Sequence, residues 1–150
     1  MTDITITIVN YFTRDDVLGA VESVVKDIMA SPYRVQLAVV DNSLDQDGMA
    51  EALKKFPTVT YINPGRNVGF GRGNTIGFER HPARYYFALN RDTLIPDDSQ
   101  TIDRIIKFMD AHPRIGCIGP KLVNMDGSGQ DACYRFDLPS ILIKPLKQIN

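Results

Sequence analysis

The stretch "GRNVGFGRGNTIG", Gly65 to Gly77, sets five glycines and two asparagines between two strand-like runs. Glycine loses much chain entropy in regular elements, so such a concentration points to positive φ angles or to a close approach of main chain to something bulky. Here it lets backbone N–H groups, together with Arg66 or Arg72, approach a diphosphate, because glycine permits the contact and arginine supplies paired donors. An ordinary loop is the competing reading. Neither familiar phosphate cradle fits: no Gly-x-x-x-x-Gly-Lys-Ser/Thr string occurs, and the Gly-x-Gly-x-x-Gly spacing fails at Ile76 and follows the third strand, not the first. Three further polar clusters carry reactive side chains: "NYF" at 10–12, "DNS" at 41–43 and "NRDT" at 90–93. His81 and His112 each precede a proline at an element boundary, which suits loop histidines, and no Cys/His cluster argues for a metal.

Each cluster follows a strand-like run, and the runs alternate with helices. "ITITIVN" ends at Asn10, and a helix follows Thr13; Asp16 three places on resembles a capping box, and Asp15 and Asp16 suit the positive end of the helix dipole. Val17, Leu18, Val21, Val24, Val25 and Ile28 recur at helical spacing until "SPY" stops them. "RVQLAVVD" then predicts a buried strand, "GMAEALKKF" a short helix and "VTYIN" a third strand. A helix near Asn74 to Arg80 leads to "YYFALN" and a last helix with Ile102, Ile105, Ile106 and Met109 on its apolar face. This alternation predicts an α/β fold, a three-layer α/β/α sandwich around a mostly parallel, Rossmann-like sheet. Ligands in such sheets bind outside the carboxyl ends of the strands, where the four clusters fall. Beyond "HPR", the Asp126–Gly127 turn signal predicts a β-hairpin within a domain running from 1 to 136, and 137–150 forms an apolar, basic tail.

Composition limits the partners. The chain has 150 residues, 43% hydrophobic and 23% charged, which suits one globular domain with a real core. Seventeen Lys and Arg against 18 Asp and Glu imply no general attraction to nucleic acid. Cys117 and Cys133 could pair, but two are too few for a disulfide framework and read as buried intracellular thiols in a reducing compartment. With neither a signal-peptide pattern nor a spanning segment, the expectation is a cytoplasmic protein not integral to a membrane. "IKPLK" can touch anionic lipid at the inner face of the plasma membrane, but two lysines are too few for stable anchoring.

The strings "VVDNS", "GRNVGFGRGN", "FALNRDT" and "IGPKLVNMDGSGQDACYRF", in this order and spacing, resemble the donor-binding half of family-two glycosyltransferases of the GT-A fold, especially the rhamnosyltransferase-like branch. The resemblance covers nearly the whole chain, and four strings in register are specific where one alone is weak. It implies that Asp41 hydrogen-bonds the nucleotide base with Tyr11 nearby; a carboxylate suits the imide N–H of uracil or thymine. A turn or N-cap residue is the alternative for Asp41. The family's Asp-x-Asp metal motif, relaxed to Asn-x-Asp, falls on Asn90 and Asp92 and implies Mn2+ or Mg2+, which would neutralise the leaving nucleoside diphosphate. Gly71 and Gly73 are expected to line the donor diphosphate, with Asn67 and Asn74 fixing the loop. Arg91, where the family has proline, is expected to face solvent.

The implied donor is a dTDP- or UDP-linked sugar, with rhamnose suggested by the branch, and the implied acceptor is a saccharide or lipid-linked acceptor in cell-surface polysaccharide synthesis. Homo-oligomerisation is left open. Inverting transfer needs a general base for the acceptor hydroxyl, which the family supplies from an acidic "ED"-type string beyond the "CYRF" match. No such string follows here, so the expectation is a donor-binding half with its base beyond the chain end. A non-catalytic nucleotide-sugar-binding or interaction module of the same fold is the alternative function. Nucleotidylyltransferases, which share a related sheet, carry a glycine-rich loop straight after the first strand, and "VNYFTRDD" has no glycine there.

Overall fold

The computed structural model of the chain describes residues 1–124 and 126–130. They belong to two units, Met1–Arg114 and Ile115–Asn150. In the first, β1 (Thr2–Asn10), α1 (Arg14–Ala30), β2 (Val35–Asp41), α2 (Met49–Ala52) with a 3-10 turn at Leu53–Lys55, β3 (Val59–Ile62), α3 (Gly69–Arg80), β4 (Ala83–Leu89) and α4 (Thr101–Ala111) follow one another. The four strands form one parallel sheet in the order β3-β2-β1-β4. The α/β expectation and its parallel sheet hold.

Side-chain alternation in β1 divides the layers. Ile4, Ile6 and Ile8 are fully buried on one face, in a core with Val17, Val21 and Val24 of α1 and Ile102 and Ile106 of α4. Thr7 and Val9 point to the other face, where α3 lies close enough for its glycines to abut them. That face accepts α3 because small residues line the helix, so the two backbones approach closely. In register, Asn10 pairs with Asp41 and Ile8 with Leu89, which brings the "NYF", "DNS" and "NRDT" clusters to one end of the sheet.

Two local expectations are corrected. The helix after the third strand begins at Gly69 and not near Asn74, so Gly71 and Gly73 are helical. Thr13 does precede α1, but the capping box does not form: its hydroxyl bonds the Asn10 side-chain oxygen at 3.3 Å and is turned away from the helix N–H groups.

In the second unit, the turn at Asp126 and Gly127 is present: Gly127 has φ +82°, and Val123 bridges Gly129 in antiparallel sense. Asp126 accepts from the Ser128 hydroxyl at 2.6 Å and backbone N–H at 2.9 Å, which holds its carboxyl below the usual range. The far arm of the expected hairpin is described as far as Gln130, whose N–H donates to the Leu122 carbonyl at 3.0 Å, while its remainder, Cys133 and the tail at 137–150 lie outside the described residues. Cys117 is exposed, where a buried thiol was expected. Among the described residues, no helix is long and apolar enough to cross a membrane.

Candidate functional site at the carboxyl end of the sheet

Asn10, the last residue of β1, is fully buried and organises this end of the sheet. Its amide nitrogen lies 2.9 Å from Asp41 Oδ1, 3.1 Å from Ser43 Oγ and 2.8 Å from Asp47 Oδ2, while its oxygen accepts from the Thr13 N–H at 3.1 Å. Ser43 Oγ in turn accepts from the Phe12 N–H at 2.7 Å. That bond holds Phe12 at φ +54°, and Tyr11 and Phe12, both about half exposed, meet edge to face at 4.9 Å. Tyr11 is therefore an open aromatic at the end of β1.

Asp41, expected to bond the nucleotide base or else to serve a turn, bonds its own exit loop here. It is fully buried; Oδ1 accepts from Asn10 and the Ser43 N–H, and Oδ2 from the Asp45 N–H at 2.8 Å and the Tyr61 hydroxyl at 2.9 Å. A carboxylate offers about four acceptor sites, so this one is filled from within. The β2 exit loop bends back on it, with Leu44 and Asp45 at positive φ, and brings these internal donors onto the carboxylate. Burial and then the neighbouring Asp41 push the Tyr61 hydroxyl above its ordinary value, so it stays a donor.

The glycine segment divides by role. Gly69 adopts φ +77°, a conformation that favours glycine, and its N–H donates to Asn67 Oδ1 at 2.9 Å. Asn67 thus fixes the entry to α3, as expected. Gly71 faces open space at the exposed start of the helix. Gly73 turns the other way: a Cβ there would come within 3.0 Å of Val9, so it serves helix-to-sheet packing and does not line a diphosphate. Asn74 is buried, donates to the Phe70 carbonyl at 3.1 Å and leaves its oxygen without a partner among the described residues.

Asn90 and Asp92 follow β4 on an exposed turn closed by the Thr93 N–H to the Asn90 carbonyl at 3.2 Å. The Asp92 carboxylate makes no hydrogen bond or ion pair among the described residues, and Arg91 is exposed as expected. No group of three metal-ligating side chains occurs among the described residues. A lone open carboxylate fits an oxygen-loving ion completed by phosphate oxygens and water, and does not fit an all-protein metal cage.

Asn42, next to Asp41, accepts from the Val68 N–H at 3.2 Å and donates to the Gly69 carbonyl at 3.3 Å. Sequence reading gave no role to Asn10, Asn42, Ser43 or Tyr61. The clusters "NYF" and "DNS" signalled three of them; nothing local signalled Tyr61, which acts across a strand pair.

With a parallel α/β sheet and polar residues gathered at its carboxyl end, the class is that of nucleotide-sugar-type GT-A folds. The chain belongs to glycosyl transferase family 2, whose model matches residues 4–145. Among solved structures it is similar to a mannosyltransferase from Pyrobaculum calidifontis in complex with GDP-Man and Mn2+, at 16% identity and TM-score 0.64, over 78% of this chain and 35% of that one. It is also similar to residues 1–349 of S. aureus TarS, at 14% identity and TM-score 0.59, over 75% of this chain and 33% of that one. TarS is solved with UDP and with UDP-GlcNAc as well. At these identities the likeness shows the fold, and the chain spans about a third of those chains. No curated protein matches the sequence.

Proposed function

We propose that this chain carries the donor-binding half of an inverting glycosyltransferase and binds a nucleoside diphosphate sugar along the carboxyl end of its sheet. The observation that carries the reading is the family match over 4–145, joined to an exposed aromatic, the exposed first turn of α3 and an unpartnered carboxylate at that same end. Tyr11 offers a face for the base. The start of α3, with Asn67 and Gly71, offers backbone donors and the positive end of a helix dipole to the diphosphate. The unpaired oxygen of Asn74 is an acceptor awaiting a donor. Asp92, with Asn90 beside it, would hold Mn2+ or Mg2+, whose chemistry is neutralisation of the leaving diphosphate. Asp41 supports the base corner from behind through Asn10, Ser43 and Tyr61.

Rhamnose, from a dTDP donor, is the sugar favoured by the motif resemblance. UDP-GlcNAc and GDP-Man, bound by the structural neighbours, are the competing donors. Cytoplasmic donor use and a saccharide or lipid-linked acceptor belong to the same reading. Calorimetric titration with dTDP-rhamnose, UDP-GlcNAc and GDP-mannose, with and without manganese, tests it. Binding of one donor, strengthened by manganese, is expected; no binding by any would overturn it. Donor binding with neither transfer nor hydrolysis, in the presence of acceptors, would favour the alternative of a non-catalytic nucleotide-sugar-binding module.

A further inference from the structure

Two parts of the candidate site belong to different elements. The base corner, at the ends of β1 and β2, is held together by Asn10 and Asp41. The phosphate side is the first turn of α3, which opens on Gly69; the segment from β3 passes through Gly65, and both glycines are at positive φ. Helix α3 has no side-chain cap of its own at Val68. Asn42 supplies the link: it is buried, and both ends of its amide are engaged, the oxygen by the Val68 N–H and the nitrogen by the Gly69 carbonyl. Because it adjoins Asp41 in the chain, its placement is fixed by the same network that fixes the base corner.

We propose that Asn42 is a positioning residue that sets the separation between the base corner and the start of α3, and thereby tunes affinity for ligands long enough to touch both. The inference rests on the nucleotide-sugar reading above. A ligand confined to one part gains nothing from the link, whereas a nucleoside diphosphate spanning both binds more tightly when the two are held in register beforehand, since less ordering is left to the binding step. A residue that merely stabilised the fold would affect short and long ligands alike.

The test uses UDP, uridine and inorganic pyrophosphate, each with manganese, titrated by NMR into the wild-type chain, Asn42→Ala and Asn42→Asp. A fourth protein, Ser31→Ala, loses a bond to Asp103 away from the site and serves as the destabilised control. For Asn42→Ala, UDP affinity is expected to fall by about tenfold, in line with losing the ordering from two neutral hydrogen bonds, while uridine and pyrophosphate change little. Asn42→Asp keeps an acceptor for Val68 and is expected to recover part of the loss. Ser31→Ala is expected to leave all three affinities unchanged. Hydrogen exchange at the Val68 amide, read without ligand, should quicken in Asn42→Ala and stay slow in Asn42→Asp. Unchanged UDP affinity, equal weakening of all three ligands or an unaltered Val68 amide would overturn the positioning role while leaving the donor reading intact. dTDP and GDP are titrated into the wild-type chain as well; its failure to bind any of UDP, dTDP and GDP would overturn the donor reading and the inference with it, whatever Val68 does.

Discussion

The Tyr61 hydroxyl reaches from β3 to the buried Asp41 carboxylate at the end of β2 and donates a 2.9 Å hydrogen bond to Oδ2. It is one of four donors converging on that carboxylate, and the one that ties the outermost strand to the site. Removing it leaves a buried charged acceptor short of a partner, so Tyr61→Phe is expected to cost about 1 to 3 kcal/mol. Urea unfolding at neutral pH measures this. The alkaline side gives a second check. The folded state holds the Tyr61 proton more tightly than the unfolded chain, so its contribution is complete below the ordinary tyrosine value of 10.0 and is lost as pH rises through that value and beyond. A steeper alkaline loss in wild type than in Tyr61→Phe is the expected outcome; parallel curves would show that Tyr61 is not responsible.

That bond also marks the limit of what the sequence reveals. Strand and helix order followed from local patterns, since "ITITIVN" is rich in β-branched residues and Ile102 and Ile106 recur at helical spacing, and each pattern is set by neighbours along the chain. The gathering of the polar clusters at one end of the sheet followed as well, because polar residues at strand ends are local features. What a carboxylate bonds is not local: Asp41 and Tyr61 are 20 positions apart, and only the β2–β3 register brings them together. The glycines show the same division. Their density announced an unusual backbone, but the separation of Gly69, needed for its φ, from Gly73, needed for contact with Val9, depends on how α3 lies on the sheet.

Gly77 supplies a direct test of that packing. A Cβ at this position would collide with the Thr7 side chain in the centre of β1, and neither the strand nor the helix can yield without disturbing the sheet. Gly77→Ala is expected to destabilise the protein by about 1 to 3 kcal/mol through overpacking. Gly71→Ala, nearer the start of α3 on open surface, is expected to be neutral or to stabilise by up to about 1 kcal/mol, because alanine is the better helix former. Melting temperatures of the two variants should therefore move apart. Equal shifts would mean that α3 does not seat on β1 through its glycines.

His81 should make stability depend on mildly acidic pH. Burial, and then the adjacent Arg80, lower its pKa below the ordinary 6.5, and its Nε2 is buried without a partner among the described residues. The unfolded chain then binds the proton more readily than the folded one, so stability is complete above pH 6.5 and falls as pH drops through that value toward the folded one. His81→Gln removes the titration and retains the backbone carbonyl that accepts from the Thr5 hydroxyl at 2.6 Å. Unfolding free energies measured from pH 5 to 8 should fall less steeply on the acid side for the variant; an unchanged slope would assign the dependence to carboxylates elsewhere.

Asp92 offers the sharpest separation of binding from folding. Its carboxylate is exposed and engages no side chain or backbone group among the described residues, so Asp92→Asn should leave stability within about 0.5 kcal/mol of wild type. If the carboxylate shares a divalent ion with a nucleotide's diphosphate, the same change removes the only anionic protein ligand proposed for that ion, and asparagine's neutral oxygen binds a hard cation far less well. Manganese should then strengthen UDP or GDP binding to wild type by about tenfold or more, the scale of one lost charge-assisted contact, and should do little for Asp92→Asn. Chelation of the metal should bring wild type down to the level of the variant. Asn90→Ala, which leaves the carboxylate in place, is expected to fall between them. Metal-dependent binding that survives Asp92→Asn at full strength would remove Asp92 from the metal site and require the ion to be held by other groups.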